Sequence, residues 1–439
     1  MRKTLKNLFI KIKTSFSKLE LLILGLALTT SLILITITIT YEKPSYTEML
    51  QPLFPRLVIR DVNGSRVDAF DTEFYVAYEN TEEKILEQVK DVLDEYLVNY
   101  HKLFDRHHEY FALLPENEAR PTLEEITNLP RLHNLYYLND HLDEKIEVSQ
   151  PLYEILLKGK DYTLNAPNGA FNMFIGSLYD FWKPLSKLEA NKNNDPLNND
   201  LKRQELERLL SFVPKTFNEI NETLILEEED DKYYATLKSF NEAQVGDFSI
   251  SLGALAKGYM ADVLEDVLTK KGLVNGLLYG GASTITFLKN GIYGQPFKMN
   301  VANIIKGENE PSFTFSRQDR YRMSTSGTYN GFMFEHNDEK VIRSHILNPL
   351  NGYPAQNGQQ LVSVISKTLS NLELDYLTTT LIVLDETSGL TYLEEKYAFE
   401  DYHYIYLGES SEGYYAKNSQ GFPGGENNQF HLDSAYMTS

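Results

Sequence analysis

The stretch from Ser251 to Asp262, SLGALAKGYMAD, runs a small-residue loop straight into a strong helix former. Gly253 and Gly258 let a backbone approach a ligand closely, and amides at a helix start attract phosphate. Lys257 adds a compact positive charge suited to the same group. The string reads as a cradle for a phosphate-bearing ligand, although a small-residue turn before a helix also serves plain packing. Upstream lies NGAFNMFIGSLYDFW, residues 168–182. There the backbone of Ala170, Phe171 and Asn172, with the Asn172 amide, could contact a nucleotide. The competing reading is a loop joining two helices, with Trp182 in the core.

Downstream, YGGAS at 279–283 places Gly280 and Gly281 where backbone angles closed to other residues are needed, for a ligand or for a hairpin turn. STSGTYN, residues 324–330, offers Ser326 and Gly327, and SHILNPLNGYP, residues 344–354, carries His345. A histidine titrates near neutrality and can carry a proton, or it can simply hydrogen-bond within a structure. Asn348-Pro349 and Asn351-Gly352 mark turns. Last comes LDYLTTT, in which Asp375 and Thr379 stand at i and i+4, on one face of a predicted helix. One carboxylate and one hydroxyl suit Mg2+, which takes oxygen ligands and keeps several waters. Such a pair also occurs on solvated helix faces.

The elements that must position these residues follow from periodicity. VDAFDTEFYVAY, within 66–78, alternates like a strand, and Glu82–Leu103 carries Ile85, Val89, Val92, Leu93 and Leu97 at helical spacing. Leu152–Lys160 is a second helix, and 185–205, rich in Asn and Asp, a polar surface loop. TLILEEEDDKYYATLKSF reads as a hairpin turning at Glu227–Asp231. Ala261–Lys271 continues a helix beyond the cradle. LVNGLLYGGASTITFLKNG gives two strands about a Gly-Gly turn, PFKMNVAN, SFTFSRQD and LVSVISKT further strands, and Leu374–Leu384 a helix. Helices and strands mix without regular alternation, which predicts an α+β body.

At 439 residues, 42% apolar, with 29 Tyr and 23 Phe, the chain has ample material for a core. It has no cysteine, which excludes thiolate metal sites, catalytic cysteines, disulfides and lipidation through an N-terminal Cys. Arg2, Lys3, Lys6, Lys11, Lys13 and Lys18 precede an uncharged apolar run from Leu21 to about Thr40, long enough to cross a bilayer once. The basic flank predicts a cytoplasmic N-terminus and an extracytoplasmic remainder. A cleaved signal peptide is the rival reading, but the run is long and lacks an A-x-A-like site. The expected organisation is a cytoplasmic basic segment (1–18), a transmembrane anchor (19–40), a tether (41–60), one folded domain (61–408) and a flexible tail (409–439). The net charge is −20, and without the basic N-terminus the remainder is more acidic still. Such a body repels nucleic acid and anionic lipid, and suits a site recruiting a divalent cation.

Taken in order, FDTEF, GAFNMFIGSL, LGALAKGYMAD, GGAS, STSGTY, HILNPLNGYP and DYLTTTLIVL resemble the ApbE family of FAD:protein FMN transferases. The resemblance spans roughly residues 66–408 and is closest to the surface-anchored forms of Gram-positive bacteria, which serve extracellular flavin-based electron transfer. It implies an α+β, T-fold-like body that binds FAD in a cleft. The implied activity is Mg2+-dependent cleavage of FAD, with FMN joined through a phosphoester to a Thr or Ser hydroxyl of an extracytoplasmic acceptor protein, releasing AMP.

Carried over by position, the resemblance puts Ala170, Phe171, Asn172, Ser251, Lys257, Ser326, Gly327 and Leu347 at FAD, with Phe70 and His107 near early flavin-contacting positions. Mg2+ would take Asp375, Thr379 and the Ala254 carbonyl, and His345 is the candidate to accept the hydroxyl proton. Three positions depart from the family pattern. Ser251 and Asn348 stand where Asp is usual, and Thr328 where an acid follows Ser-Gly. That leaves two alternatives open: an extracellular flavin-binding protein without transfer, or a Mg2+-dependent FAD pyrophosphatase. The nearest internal acceptor string, DSAYMTS at 433–439, has Tyr436 where Thr would be expected. The acceptor is then expected to be another membrane or surface protein.

Overall fold

The computed structural model describes residues 58–78, 83–112, 130–186, 189–281, 283–289, 297–303, 307–317, 320–328, 331–410, 413–419 and 430–432. The expected basic segment, anchor and most of the tether lie outside these residues, as does DSAYMTS. Among the described residues no helix is long and apolar enough to cross a membrane.

A seven-stranded antiparallel sheet organises the body. Its strands are β1 (Phe74–Tyr78), β2 (Gly276–Gly280), β3 (Thr284–Lys289), β4 (Tyr321–Gly327), β5 (Gln359–Ser366), β6 (His403–Ser410) and β7 (Gly413–Asn418). Their spatial order repeats their order in the chain. Both faces are covered: Leu277, Ile285, Phe287, Met323 and Leu407 form a core on one side, while Leu278, Leu288, Val362 and Val364 face helices on the other. Burial on both faces explains why β5 reads as an almost unbroken apolar run.

Three helices matter to the site: α1 (Glu83–Phe104), α2 (Ala256–Lys270) and α3 (Asn371–Val383). α1 lays Val89, Leu93 and Leu97 against Met260, Ala261 and Leu264 of α2, as its spacing predicts. α3 is buried nearly all round, with Leu374, Tyr376, Leu377 and Leu381 in the core and Asp375, Thr378 and Thr380 buried among them. Its start is fixed twice. Ser370 accepts from the Glu373 N–H at 3.1 Å, and Asp262 of α2 accepts from the N–H groups of Asn371 and Leu372 at 2.8 and 3.0 Å.

The two helices touch at Gly258. A Cβ there would lie 2.4 Å from the Asn371 carbonyl oxygen and 2.7 Å from the Leu372 Cα, both rigid backbone. Gly258→Ala should therefore push α2 from α3 and lower stability by about 1–3 kcal/mol. An unchanged urea midpoint would show that the helices have slack at this crossing.

A second sheet, Lys145–Val148, Lys232–Leu237 and Leu224–Glu229, contains the expected hairpin, turning at Asp230-Asp231. Helix Gln150–Asn165 packs on it and extends beyond both ends of the expected Leu152–Lys160.

Four expectations need correction. The single strand expected over 66–78 is two, Arg66–Asp68 and β1, separated by a turn in which Phe70 and Asp71 have φ of 56° and 52°. Neither is glycine, so alternation could not announce the break. The tether is ordered at its end, where Val58–Arg60 pairs with Arg66–Asp68. The polar loop at 185–205 contains a short 3-10 helix, Glu189–Asn194, and the start of helix Asp200–Leu210. Between them the buried Asp195 grips the equally buried Arg343 through two bonds of 2.6 and 3.0 Å. Finally, the tail is not wholly flexible: β7 adds an edge to the sheet, and Phe430–Leu432 pairs with Gly307–Arg317.

Candidate active site

A cavity of about 360 Å³ opens where α2, α3, β4 and the 345–347 loop meet. The turn before α2 contributes Gly253 and Ala254, and its first turn Lys257. β4 contributes Ser324, Ser326 and Gly327, α3 contributes Asp375 and Thr379, and the loop contributes His345. Phe70, Asp71 and Thr72 form the wall beside them. That wall abuts the β2–β3 turn, where a Cβ on Gly281, at φ 64°, would fall 2.4 Å from the Thr72 hydroxyl.

A narrow recess sharing Ala254 and Thr379 with this cavity is lined by Ala170, Phe171, Asn172, Ser251 and Leu347. A third space, of about 380 Å³, shares Gly253 and His345 and adds Arg106, His107 and Lys183. Every site residue expected from the sequence thus lies on one connected cleft. The Asn172 side chain is engaged within the protein. Its amide donates to the Pro214 carbonyl at 2.8 Å and accepts from the Phe174 N–H at 2.8 Å, so it shapes the loop.

Asp375 is the chemical centre. Its Oδ1 accepts from the Thr284 hydroxyl at 2.8 Å and the Ser324 hydroxyl at 2.6 Å. Thr284 and Ser324 are register partners on adjacent strands and so present their side chains together. The set continues: Ser324 lies 3.1 Å from the Thr378 hydroxyl, and Ser326 donates to Thr378 at 2.9 Å. Thr284, Ser324 and Thr378 were not among the expected residues. The signal available was the two-residue spacing of Ser324 and Ser326, which puts both on one strand face.

Burial pushes the Asp375 carboxyl above its usual range. Lys257, the two hydroxyls and the Gly258 N–H pull the other way. A carboxylate so far from water gains most from a nearby cation. Asp375, Thr379 and Ala254 line the same cavity, and their carboxylate, hydroxyl and carbonyl are oxygen donors of the kind that could hold Mg2+. Among the described residues no group of three or more His, Cys, Asp or Glu gathers as a metal site, at this cavity or elsewhere.

His345 is an exposed residue that lines the cavity. Dehydration first, and then the Lys257 charge, lower its pKa to about 4. The imidazole is therefore neutral near pH 7, the form that accepts a proton.

The turns at the positions that depart from the resembled pattern are closed by local hydrogen bonds. Asn348 Oδ1 accepts from the Leu350 N–H at 2.9 Å, and Asn351 Oδ1 from the Tyr353 N–H at 2.9 Å. Both are Asx turns, which Asn closes as well as Asp does. Ser251 Oγ accepts from the Gly253 N–H at 3.4 Å at the mouth of the cradle. Thr328 is buried, and its N–H bonds to the Gln360 carbonyl at 2.9 Å.

The model of the ApbE family matches residues 123–402. The chain is 27% identical over 295 residues to an FAD:protein FMN transferase of Klebsiella pneumoniae (strain 342), covering 67% of this chain and 78% of that one. To an FAD:protein FMN transferase of Vibrio cholerae it is 30% identical over 146 residues, 33% of this chain and 41% of that one. The fold is similar to the ApbE protein of Thermotoga maritima, with a TM-score of 0.56 at 18% identity over 84% of this chain and 98% of that one. It is also similar to the flavin transferase ApbE of Vibrio cholerae, with a TM-score of 0.55 at 18% identity over 85% and 98%.

Proposed function

This chain belongs to the ApbE family and is an FAD:protein FMN transferase, and from that premise we propose that its cleft binds FAD with Mg2+ and passes the FMN half to a Thr or Ser hydroxyl of an acceptor protein. The observation that carries this reading is the convergence of Lys257, His345, Asp375 and Thr379 on one cavity.

The acceptor oxygen attacks the FMN-side phosphorus of FAD. A phosphoester forms, the bond from that phosphorus to the bridging oxygen breaks, and AMP leaves with that oxygen. The hydroxyl proton passes to a ring nitrogen of His345. Lys257 offsets charge on the diphosphate, and the small residues at Gly253, Ser326 and Gly327 let it approach the backbone. Asp375, Thr379 and the Ala254 carbonyl would hold Mg2+, which would supply charge neutralisation for the leaving group. Phosphoryl-type transfer depends on such alignment and neutralisation more than on a covalent protein intermediate. The basic and apolar N-terminal segment supports a single membrane anchor with the domain outside. The acceptor is then an extracytoplasmic protein, in keeping with extracellular electron transfer.

Incubating the chain with FAD, Mg2+ and an acceptor peptide should give a covalent FMN adduct by mass and in-gel fluorescence, stoichiometric AMP, and neither with EDTA. AMP and free FMN without labelled peptide would instead identify a pyrophosphatase. Bound FAD with no AMP would identify a carrier.

A further inference from the structure

We infer that His101 is a positioning residue: its Nδ1 holds the left-handed turn at Phe70 and Asp71 in place, and so shapes the wall against which FAD binds. This rests on the reading of the cleft as an FAD site. Phe70 and Asp71 both have positive φ, at 56° and 52°, and neither is glycine. Two successive residues in that region persist only when the surroundings impose them. What imposes them is a bond of 2.9 Å from the Phe70 N–H to His101 Nδ1, near the end of α1. The Phe70 ring then stands edge-on to the His101 ring at 5.5 Å and to Phe74 at 5.3 Å.

The bond also determines the tautomer. A ring nitrogen that accepts leaves the proton on the other, so Nε2 is the donor. Nε2 lies 3.4 Å from the Tyr110 hydroxyl oxygen and 3.5 Å from Asp105 Oδ2. Tyr110 gives its own proton to Asp105 at 2.7 Å, which leaves the Tyr110 oxygen free to accept. Asp105 Oδ1 takes the His107 N–H at 2.7 Å, and Oδ2 faces His108 Nδ1 at 2.8 Å. Burial alone would raise the Asp105 carboxyl. The bonds from His101, the His107 N–H and Tyr110 hold it well below the usual carboxylate range. The network therefore keeps an anion on the Nε2 side and an acceptor on the Nδ1 side. His101 bonds to the Phe70 N–H and, together with Phe70, Lys257 and His345, lines a space adjoining the cleft; the bond is the route by which it acts on the wall.

Asn and Gln separate the two sides of the ring, since the Asn amide reaches about where Nδ1 lies and the Gln amide about where Nε2 lies. His101→Asn keeps an acceptor for the Phe70 N–H, and His101→Gln does not. FAD affinity, measured by flavin fluorescence with Mg2+, should fall at least about tenfold in His101→Gln, the scale set by an unmade buried hydrogen bond. It should stay within about threefold of wild type in His101→Asn, less than half the logarithm of that loss. The turnover number at saturating FAD should change little in either. A crystal structure of His101→Gln without flavin should show Phe70 at negative φ. The inference is overturned if Gln binds FAD as wild type does, if Asn is as weak as Gln, or if Phe70 keeps its positive φ in the Gln variant. Wild-type protein that fails to bind FAD would overturn the FAD reading and this inference with it. Wild-type binding matched by the Gln variant would overturn this inference alone.

Discussion

Asp375→Asn should abolish FMN transfer, lowering it at least about 10³-fold, while leaving a folded protein. A bound metal contributes several kcal/mol of charge stabilisation, and about 1.36 kcal/mol corresponds to each tenfold in rate. Asparagine has the shape of aspartate and offers a carbonyl oxygen to the Thr284 and Ser324 hydroxyls. What it lacks is the anion. The loss should therefore fall on Mg2+-dependent turnover, and raising Mg2+ should restore little of it. Protein flavinylated at a wild-type rate by this variant would remove the metal assignment altogether. A variant that simply unfolds would be detected by its melting curve, which the retained hydrogen bonds predict to stay close to wild type.

His345→Ala carries the second large expectation, a fall in transfer of about 10²–10⁴-fold, the usual contribution of a positioned base. The pH profile tests it more sharply than the rate. The base works when neutral, so its contribution is lost as pH falls through its pKa. Burial and the Lys257 charge lower that pKa from 6.5 to about 4. The acid limb of kcat/KM for the wild type should accordingly lie near pH 4, far below an ordinary histidine. Lys257→Met removes the smaller of the two causes and should move the limb part of the way back towards neutrality, in addition to slowing the reaction. In the FAD complex the diphosphate favours the imidazolium, so the limb in kcat should lie higher than the limb in kcat/KM. An acid limb that stays in place when Lys257 is replaced would argue that His345 is not the titrating base.

How much of this was legible beforehand depended on whether the controlling interaction is local. The cradle could be read because Gly253, Lys257 and Gly258 stand in one short stretch, although what denies Gly258 a Cβ, the backbone of Asn371 and Leu372 on α3, is remote in the chain. Asp375 and Thr379 could be paired because helical spacing alone puts them on one face. The hairpin at 224–237 could be read because both strands and the turn lie within one stretch. The left-handed turn at Phe70 was invisible because its cause, His101, is 31 residues away. Asp195 looked like one more polar loop residue because its partner Arg343 lies 148 residues away. β4 was missed because YRMSTSG buries hydroxyls against α3 on one face and Met323 on the other, which blurs the apolar alternation. β7, exposed along much of its length, is an edge strand rich in Tyr, Lys and Asn and looks like tail.

The hydroxyl contacts between α3 and the sheet have a mechanical consequence. Apolar helix–sheet seams can creep, because one methyl group substitutes for another at nearly equal energy. Thr284, Ser324, Ser326, Asp375 and Thr378 instead interlock as keyed donors and acceptors. Sliding the helix by one turn would leave the buried hydroxyls of Thr284, Ser324 and Thr378 without these partners. Asp375 and Thr379 are thus held at a set depth beneath the cleft floor, and the site keeps its calibration when the outer loops breathe.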